Sequence, residues 1–272
     1  MVIPRDLPTE PSYARQIEQC EVEAWLDLDA SVLSGSRPLD VRAIDGALLI
    51  LDSSTDWPHS RIFNLGVVRP ATPEVVQRIL ETARAAGIET LSTDVSPIAR
   101  PGTLARILGQ AGFHQTERNV IVARDTAGVQ EPDSFFRIRL VERADTDVVI
   151  DLVQSVMPGA LDWTILLAGQ ISRPNWRYYL AFEDGVACAL SGIHIHGNMA
   201  WLSPIWVREN FRNRGTQAAI IAYAVRDAEA SGVEWITTSY PAAVPGRTRN
   251  FERLGFSMVY LRNHFVWQAP AS

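Results

Sequence analysis

A short basic loop in the second half of the chain has the residue types of an anion site. Arg212-Asn213-Arg214-Gly215 follows an apolar stretch that ends at Val207 and precedes a stretch of helical periodicity from about Thr216. The first backbone N–H groups of a helix have no intrahelical partner, and the helix dipole is positive there. The glycine would let the backbone approach a phosphate closely, and the two arginines add positive charge. The loop therefore predicts a phosphate site, and the alternative is an ordinary strand–loop–helix turn with solvated arginines.

The helix after this loop is predicted from its period. Apolar residues recur at spacings of three and four, while Arg226, Asp227 and Glu229 fall on the other side. Gly232 ends the helix in the manner of a C-terminal glycine. The apolar stripe comprises Ala218, Ile221, Ala222, Val225 and Ala228.

Strand, loop and helix together resemble the phosphate-binding motif of the GCN5-related N-acetyltransferases (GNAT). The signature of that family is Arg/Gln-x-x-Gly-x-Gly/Ala, and the chain has Arg212-Asn213-Arg214-Gly215-Thr216-Gln217. Gln217 departs from the last position, which we treat as a variant of the signature. The resemblance covers residues Phe136 to Trp267 and, more faintly, the first half. It implies a fold that binds the pyrophosphate of acetyl-CoA at this loop.

Two further stretches extend the implied acetyl-CoA site. Ala200–Val207 is similar to the family's fourth strand, where Pro204 would fit a bulge that separates this strand from the next. The pantetheine arm lies in that gap and would pair with strand backbone groups. Arg249–Phe256 is similar to the family's last motif. The implied cofactor contacts are Ile205, Trp206, Val207, Arg212, Asn213, Arg214, Gly215, Thr216, Gln217, Ala218 and Asn250.

The group that protonates the leaving thiolate departs from the family pattern. Phe251 stands where many members have a tyrosine that serves as the general acid. Tyr240 and Tyr260 are the nearby phenols, and we favour Tyr260 because related chains have a tyrosine after the Gly-Phe pair. The alternative for each is a packed, half-buried tyrosine without a catalytic role.

Acetyl transfer to an amine also needs a base that removes a proton. The family often has a carboxylate on the fourth strand, and this chain offers only Ser203 there. We expect the base to be Asp162, in the stretch that lines the acceptor site in the family, or a water ordered by Ser203, Ser191 or His194. The alternative for Asp162 is an exposed loop carboxylate. The backbone N–H of Val207 is expected to stabilise the oxyanion.

The two halves of the chain resemble each other. Residues 85–93 match residues 230–238 at an offset of 145, and Gly112-Phe113 matches Gly255-Phe256 at an offset of 143. Upstream the offset is 139, so the second copy is longer by six residues, which form the basic loop. We predict a degenerate GNAT-like domain over residues 1–127, a linker over 128–134 and an acetyl-CoA-binding GNAT domain over 135–272. The alternative is coincidence between two generic helix–glycine–strand units.

Each predicted domain is α/β, with a mixed, mostly antiparallel sheet flanked by helices. The α/β class follows from apolar stripes of helical period that alternate with short apolar or alternating runs, and the sheet arrangement is what the resemblance implies. The predicted helices are Tyr13–Leu28, Pro73–Ala86, Thr103–Gln110 and Ala144–Val156, and the predicted strands are Ala47–Asp52, Arg61–Val68, Ile88–Thr93, Val120–Ala123, Phe136–Leu140, Tyr178–Glu183, Val186–His194, Met199–Val207 and Trp235–Thr238.

The composition argues against several other classes of protein. The 272 residues are 47% hydrophobic and 21% charged, as in a normal globular protein. The sequence has no run of about 18 apolar residues, so we predict no membrane span. A net charge of −6 disfavours nucleic-acid and anionic-membrane partners. Cys20 and Cys188 form no disulfide framework, and with no predicted signal peptide we expect a cytoplasmic protein. His194 and His196 lack a third ligand, so no metal site is expected.

From the resemblance we expect an N-acetyltransferase that moves acetyl from acetyl-CoA to a primary amine of a small molecule, by direct attack in a ternary complex. Two alternatives stay open. One is a non-catalytic CoA-binding or scaffold protein, which Phe251 and the missing carboxylate favour. The other is a transferase with another acyl donor, such as a longer acyl-CoA or an aminoacyl-tRNA, although the net charge disfavours tRNA. Eight tryptophans leave room for a homodimer interface.

Overall fold

The computed structural model describes residues 11–30, 40–52, 60–130, 132, 135–159, 167–171, 173–243 and 247–270. Its main helices are α1 (Pro11–Ala30), α2 (Pro73–Ala85), α3 (Leu104–Gln110), α4 (Thr146–Val156), α5 (Thr216–Ala230) and α6 (Arg247–Arg253). Its strands are β1 (Asp40–Ile44), β2 (Ala47–Leu51), β3 (Arg61–Phe63), β4 (Thr90–Val95), β5 (His114–Asp125), β6 (Arg137–Leu140), β7 (Trp176–Glu183), β8 (Val186–His196), β9 (Met199–Leu202), β10 (Trp206–Val207), β11 (Trp235–Pro241) and β12 (Ser257–Gln268).

The strands form one continuous twisted surface instead of a separate sheet for each half. Their order is β1-β2-β3-β4-β12-β5-β11-β9-β8-β7-β6, with β10 paired to β8. Only β3–β4 and β9–β11 are parallel among the pairings of the described strands. The predicted class, a mixed and mostly antiparallel sheet flanked by helices, is confirmed.

The centre of the sheet is an exchange of strands between the two halves. β12, from the end of the chain, lies between β4 and β5 of the first half. β5 in turn lies between β12 and β11 of the second half. The predicted boundaries at residues 127 and 135 fall in the connection from β5 to β6. The two halves therefore share their central hydrogen bonds along the whole length of β5 and β12.

Two sets of helices cover opposite faces of this sheet. α2 and α3 pack on Leu49, Leu91 and Trp267, and α5 and α6 pack on the same side of the neighbouring strands. α1 and α4 cover the other side; α1 lies on Ile121 and Met199. Side chains alternate between the two faces along each strand. Below, the two sides are called the α5 face and the α1 face.

Local sequence explains where the helices begin. Thr72 caps α2 by accepting a hydrogen bond from the backbone N–H of Val75 at 3.3 Å, and Pro73 occupies the first helical position. The predicted apolar stripe of α2 is buried: Val75, Val76, Ile79, Leu80 and Ala83. α5 begins at Thr216 as predicted, and it is buried on more than one side because it contacts both β7 and β8.

Two predicted strands are shorter than expected. The predicted strand Arg61–Val68 ends at Phe63, because Asn64 has φ 56° and Gly66 has φ 79° in the turn that follows. The predicted strand Met199–Val207 is interrupted at residues 203–205 and forms β9 and β10 instead. Both errors come from turns inside apolar sequence, which periodicity does not reveal.

A buried ion-pair cluster attaches α1 to the exchanged strand β12. The Arg262 side chain is 3% exposed; its Nε lies 3.0 Å from Glu18 Oε1, and its Nη1 contacts Glu21. The Tyr260 hydroxyl donates to the same Glu18 oxygen at 2.8 Å. Burial alone would lower the pKa of Arg262, but the charges of Glu18 and Glu21 outweigh it and raise that pKa. The guanidinium therefore remains charged inside the protein.

The substitution Arg262→Met should lower the free energy of unfolding by about 3–5 kcal/mol, because it leaves two buried carboxylates without their cation. Urea unfolding at neutral pH measures the change. Arg42→Met, which removes the exposed pair with Asp40, is the control and should leave the unfolding midpoint unchanged. Equal midpoints for the two variants would contradict the structural role of Arg262.

Candidate functional site

The site is organised around a gap between two neighbouring strands. β9 and β11 pair only from Met199 to Trp201, and beyond that point they separate. The residues after β9 follow β8 instead, so that Leu202 faces Ile193 and Trp206 faces Leu190. Three residues, 203–205, thus lie opposite two residues of β8, which is the pattern of a β-bulge. The bulge that Pro204 predicted is present.

Backbone groups of β10 face this gap. The N–H of Arg208 donates to the carbonyl of Cys188 on β8 at 2.9 Å. Successive residues of an extended strand direct their backbone groups to opposite sides, so the groups of Val207 and Ile205 point away from β8. Among the described residues, no other strand pairs with them, and the Val207 carbonyl accepts only from the Arg212 side chain. They form a short strand edge of the kind that an extended amide-containing chain can extend.

The start of α5 lies beside this edge and is not capped by a side chain. Gly215 occupies the N-cap position with φ 82°, a left-handed conformation that favours glycine. The first intrahelical bond runs from Ala219 N to Gly215 O at 3.0 Å. In the described part of the chain, the backbone N–H groups of Thr216, Gln217 and Ala218 have no partner. A Cβ at residue 215 would meet nothing within 4 Å, so the space in front of these donors is open.

The loop arginines make contacts of their own. Arg214 Nη2 lies 2.5 Å from Glu183 Oε1, and its guanidinium stacks on Phe211 at 5.6 Å. Arg212 Nε donates to the carbonyl of Val207 at 3.3 Å. Both side chains are exposed, as is Asn213, which has φ 60°. The arginines lie next to the uncapped helix start, and their exposed guanidinium groups can exchange these partners for an anion at low cost.

α6 contributes the far edge of the gap. Asn250 Nδ2 donates to Gln217 Oε1 at 3.1 Å, so the residue that departs from the family signature links α5 to α6. Phe251 stacks on Tyr240, with ring centroids 5.3 Å apart and planes 4° apart. Tyr240 belongs to the α5 face of β11 and lines the gap.

A cleft of about 550 Å³ passes through the gap and joins the two faces of the sheet. On the α5 face it is lined by Gln217, Thr238, Tyr240 and Phe251. On the α1 face its wall is polar and contains residues from both halves of the chain. These residues are Glu21, Trp25, Arg61, Ser92, Asp94, Glu117, Asn119, Trp201, Ser203, Ser239 and His264.

Asp94 is the centre of the polar wall. It accepts hydrogen bonds from Arg61 Nη2 at 2.9 Å and Asn119 Nδ2 at 3.1 Å, and its Oδ1 lies 2.7 Å from His264 Nδ1. Burial alone would raise the pKa of Asp94, but the hydrogen bond with His264 and the charges of Arg61 and Arg262 hold it well below its usual range. The carboxylate is therefore ionised and acts only as an acceptor.

The catalytic residues predicted from the sequence lie in different places. Ser203 lines the cleft, but its Oγ accepts from Gly192 N at 2.8 Å and stabilises the bulge. Tyr260 does not line the cleft; it lies beneath α1, where burial and the charge of Glu18 raise its pKa. Asp162 falls outside the described residues.

Two further groups that we expected to order a water are buried away from the gap. The Ser191 hydroxyl is fully buried on β8, and His194 is 2% exposed and 3.4 Å from Asp27 Oδ2. Burial lowers the pKa of His194 despite the opposing charge of Asp27. The structure thus brings together the cofactor residues predicted near the gap, while the catalytic candidates are dispersed.

Sequence reasoning missed the polar wall on the α1 face. Asp94 and His264 are 170 positions apart and meet only because β12 lies next to β4. One local signal was available: Tyr260, Arg262 and His264 alternate along a strand, which indicates a polar face. That alternation identifies the polar face of the strand but not the residues that its side chains contact.

Neither a metal centre nor a membrane helix is found in the part of the chain that the structure describes. No group of three or more His, Cys, Asp or Glu side chains there could hold a metal ion. None of the helices there has the length and apolar character needed to cross a membrane.

The fold is similar to several solved structures. A GCN5-related N-acetyltransferase from Kribbella flavida is 19% identical, with a TM-score of 0.69 over 94% of this chain and 95% of that one. A GCN5-related N-acetyltransferase from Sphaerobacter thermophilus is 16% identical, with a TM-score of 0.62 over 99% and 96%. A tandem GNAT protein from the clavulanic acid biosynthesis pathway is 15% identical, with a TM-score of 0.61 over 88% and 82%.

The sequence itself gives the family of the second half. No curated protein matches the chain. The family model for the acetyltransferase (GNAT) family matches residues 151–256, which run from α4 to the end of α6 and include the bulge, the basic loop and α5. The solved structures with the same overall fold carry the same family name. Residues 151–256 therefore match the acetyltransferase (GNAT) family, and this match supports acyl transfer in general.

Proposed function

We propose that the protein transfers the acetyl group of acetyl-CoA to a primary amine of a small molecule, by direct attack of the amine in a ternary complex. The observation that carries this proposal is the strand gap beside an uncapped helix start. An acyl-CoA has an anionic pyrophosphate and an extended amide-containing arm, and these two features match the two parts of the site.

The phosphate part of the site is the start of α5. Three backbone N–H groups, the positive end of the helix dipole and two exposed arginines converge on open space. Charge-assisted hydrogen bonds from Arg212 and Arg214 would replace their present contacts with Val207 and Glu183. Such contacts favour a dianion over a neutral ligand, in agreement with pyrophosphate.

The arm would lie against the edge formed by Ile205 and Val207. Its amides would pair with the unpaired backbone groups there, as an added strand does. This position directs the thioester into the cleft, where the Val207 N–H is the candidate donor to the oxyanion. Asn250 and Gln217, hydrogen-bonded to each other at the same edge, would border the arm.

Tyr240 is the phenol that we assign to the leaving thiolate. It lines the cleft on the α5 face, on which the CoA sulfur would leave. Tyr260, favoured from the sequence, is separated from the cleft and hydrogen-bonded to Glu18. Tyr240 lies on β11 and stacks on Phe251, so the phenol would come from the neighbouring strand rather than from α6.

The rival functions make different predictions. A CoA-binding scaffold would bind acetyl-CoA without turnover on any amine. An aminoacyl-tRNA-dependent transferase would be retained by tRNA at low salt and released as salt rises. The acidic residues Glu21, Asp94 and Glu117 in the cleft wall argue against a polyanionic partner on the α1 face.

Gly215→Trp should abolish the stabilisation of the protein by acetyl-CoA, because a bulky side chain would fill the space in front of the α5 amides. At an acetyl-CoA concentration 100-fold above Kd, the parent should gain about 2.7 kcal/mol, seen as a higher Tm. Gly197→Trp is the matched control: Gly197 also has a positive φ and open space around its Cβ, but it lies at the opposite end of β8. Both variants carry the same backbone strain of about 1–2 kcal/mol.

Retention of the full acetyl-CoA shift in Gly215→Trp would contradict the phosphate site. Loss of the shift in both variants would mean that strain at any such turn disturbs the fold, and calorimetric titration of Arg214→Ala would then decide. A weaker Kd in Arg214→Ala supports the site, and an unchanged Kd contradicts it.

Tyr240→Phe should lower kcat by up to about 10²-fold, the lower end of general acid catalysis, because a thiolate leaves readily. The Kd for acetyl-CoA should not change. Thiol release from acetyl-CoA, followed with a chromogenic disulfide, is the measurement, and Cys20 and Cys188 are both buried and do not interfere. A fall of kcat in Tyr260→Phe instead, at equal folded fraction, would contradict the assignment.

A further inference from the structure

The α1 face of the cleft contains a histidine held in one orientation. His264 lies on β12, lines the cleft and is 17% exposed. Its Nδ1 lies 2.7 Å from Asp94 Oδ1. Among the residues that the structure describes, none makes a hydrogen bond with its other nitrogen, Nε2. One ring nitrogen is therefore fixed and the other is available to a molecule in the cleft.

The hydrogen bond also fixes the tautomer. Asp94 already accepts from Arg61 and Asn119, and as a carboxylate it has no proton to donate. The proton of a neutral His264 must therefore be on Nδ1, which leaves the lone pair on Nε2. An imidazole in this tautomer, oriented by a carboxylate, can accept a proton from a bound ligand.

The charged groups around His264 suit a cationic ligand. In the cleft these are Arg61 on β3, Asp94 on β4, Glu117 on β5 and Glu21 on α1. Beneath the cleft wall, Arg262 on β12 itself is paired with Glu18 and Glu21 of α1. Arg61 and Arg262 are paired with carboxylates, so four carboxylates face two guanidinium groups. Trp25 and Trp201 line the same side. The Arg61 guanidinium lies over the Trp25 ring at 5.2 Å, so Trp201 is the aromatic side chain that we expect to attract an ammonium group.

We propose that His264 is the general base of the reaction, that Asp94 is its positioning residue, and that the acceptor is a small amine that enters as its ammonium ion on the α1 face. This inference rests on the proposed function. It supplies the base that the fourth strand lacks, and it comes from the exchanged strand β12, next to β4 of the first half.

The proposed step balances in atoms and charge. The acceptor R–NH₃⁺ gives one proton to His264 Nε2 and becomes the neutral amine. The amine nitrogen forms a bond to the thioester carbonyl carbon, and the bond between that carbon and sulfur breaks. The second proton lost by nitrogen goes to the thiolate, through Tyr240 or water, and the first leaves His264 for solvent. The products are the amide, CoA–SH and one proton.

The gap explains how the two reactants meet. The acetyl-CoA arm would approach from the α5 face, where α5 and α6 border the cleft. The acceptor would approach from the α1 face, where His264 and Asp94 lie. Because β9–β10 and β11 separate at the bulge, the thioester can face the amine through the sheet.

The test is thiol release from acetyl-CoA with putrescine, glucosamine and tyramine as probe amines. With an amine that the parent acetylates, His264→Gln should lower kcat by about 10²-fold or more and leave the KM for acetyl-CoA unchanged. The increase of kcat/KM with pH that a general base produces should be absent in this variant. Added imidazole should restore part of the activity of His264→Ala. His196→Gln, at an exposed end of β8, is the control and should behave like the parent.

Asp94→Asn separates positioning from packing. Its side-chain amide can donate to Nδ1 and so favours the other tautomer, and kcat should fall while acetyl-CoA still raises the Tm. In ¹⁵N NMR of histidine-labelled protein, the parent should have a protonated Nδ1 and an unprotonated Nε2 at His264. The reverse pattern in the parent would overturn the proposal.

The outcomes distinguish an error in the base assignment from an error in the proposed function. If the parent acetylates an amine and His264→Gln has an unchanged kcat and pH profile, the base assignment is wrong and the proposed function stands. If acetyl-CoA binds but no thiol is released with any of the three amines, the base assignment and the proposed function are both overturned. Loss of the acetyl-CoA shift in His264→Gln would indicate a binding or folding role instead, and would also overturn the assignment.

Discussion

The buried contact of Arg262 with Glu18 and Glu21 holds α1 against the exchanged strand β12. It joins α1, at the start of the described chain, to β12, near its end. A charged trio under a helix is costly to desolvate, so it persists only with close geometry and mutual hydrogen bonds. These ion pairs hold α1 above the central strands, and α1 in turn holds Glu21 and Trp25 at the cleft. The polar wall of the site depends on this attachment.

A second constraint is that the two faces of the sheet carry different chemical groups. The α5 face has the features of an anion site: amides at a helix start, exposed arginines and a short strand edge with no neighbouring strand among those described. The α1 face has carboxylates, tryptophans and one oriented histidine. A closed sheet would keep these two sets of groups apart, because side chains on opposite faces are separated by the backbone. The bulge at residues 203–205 opens a passage between them.

Local features were predictable from the sequence where local chemistry determines them. The start of α5 follows from its period. The bulge near Pro204 was implied by the family resemblance, and the restriction of proline to strand edges and bulges agrees with it. The position of Tyr260 was not predictable in this way. We favoured it because related chains have a tyrosine after the Gly-Phe pair, whereas its environment is set by Glu18, 242 residues away.

The strand exchange limited the prediction of the site most strongly. The repeat with offsets of 143 and 145 related β5 to β12 and β4 to β11, and this led to an expectation of one sheet for each half. Two similar strands can pair within their own half or with the other half, and the local pattern is the same in both cases. The pairing of β12 with β4 and β5 depends on long-range register, which also brings His264 to Asp94.

The exchange of strands between the two halves affects how the protein folds during synthesis. On the ribosome, β4 and β5 emerge more than 130 residues before β12, which must lie between them. Until the second half is complete, β4 and β5 each have an unpaired edge. Such a topology has a high contact order and folds slowly. The histidine at the centre of the cleft arrives with that last strand. Nascent chains therefore have no complete cleft, and its polar wall on the α1 face is complete only when the whole sheet has formed.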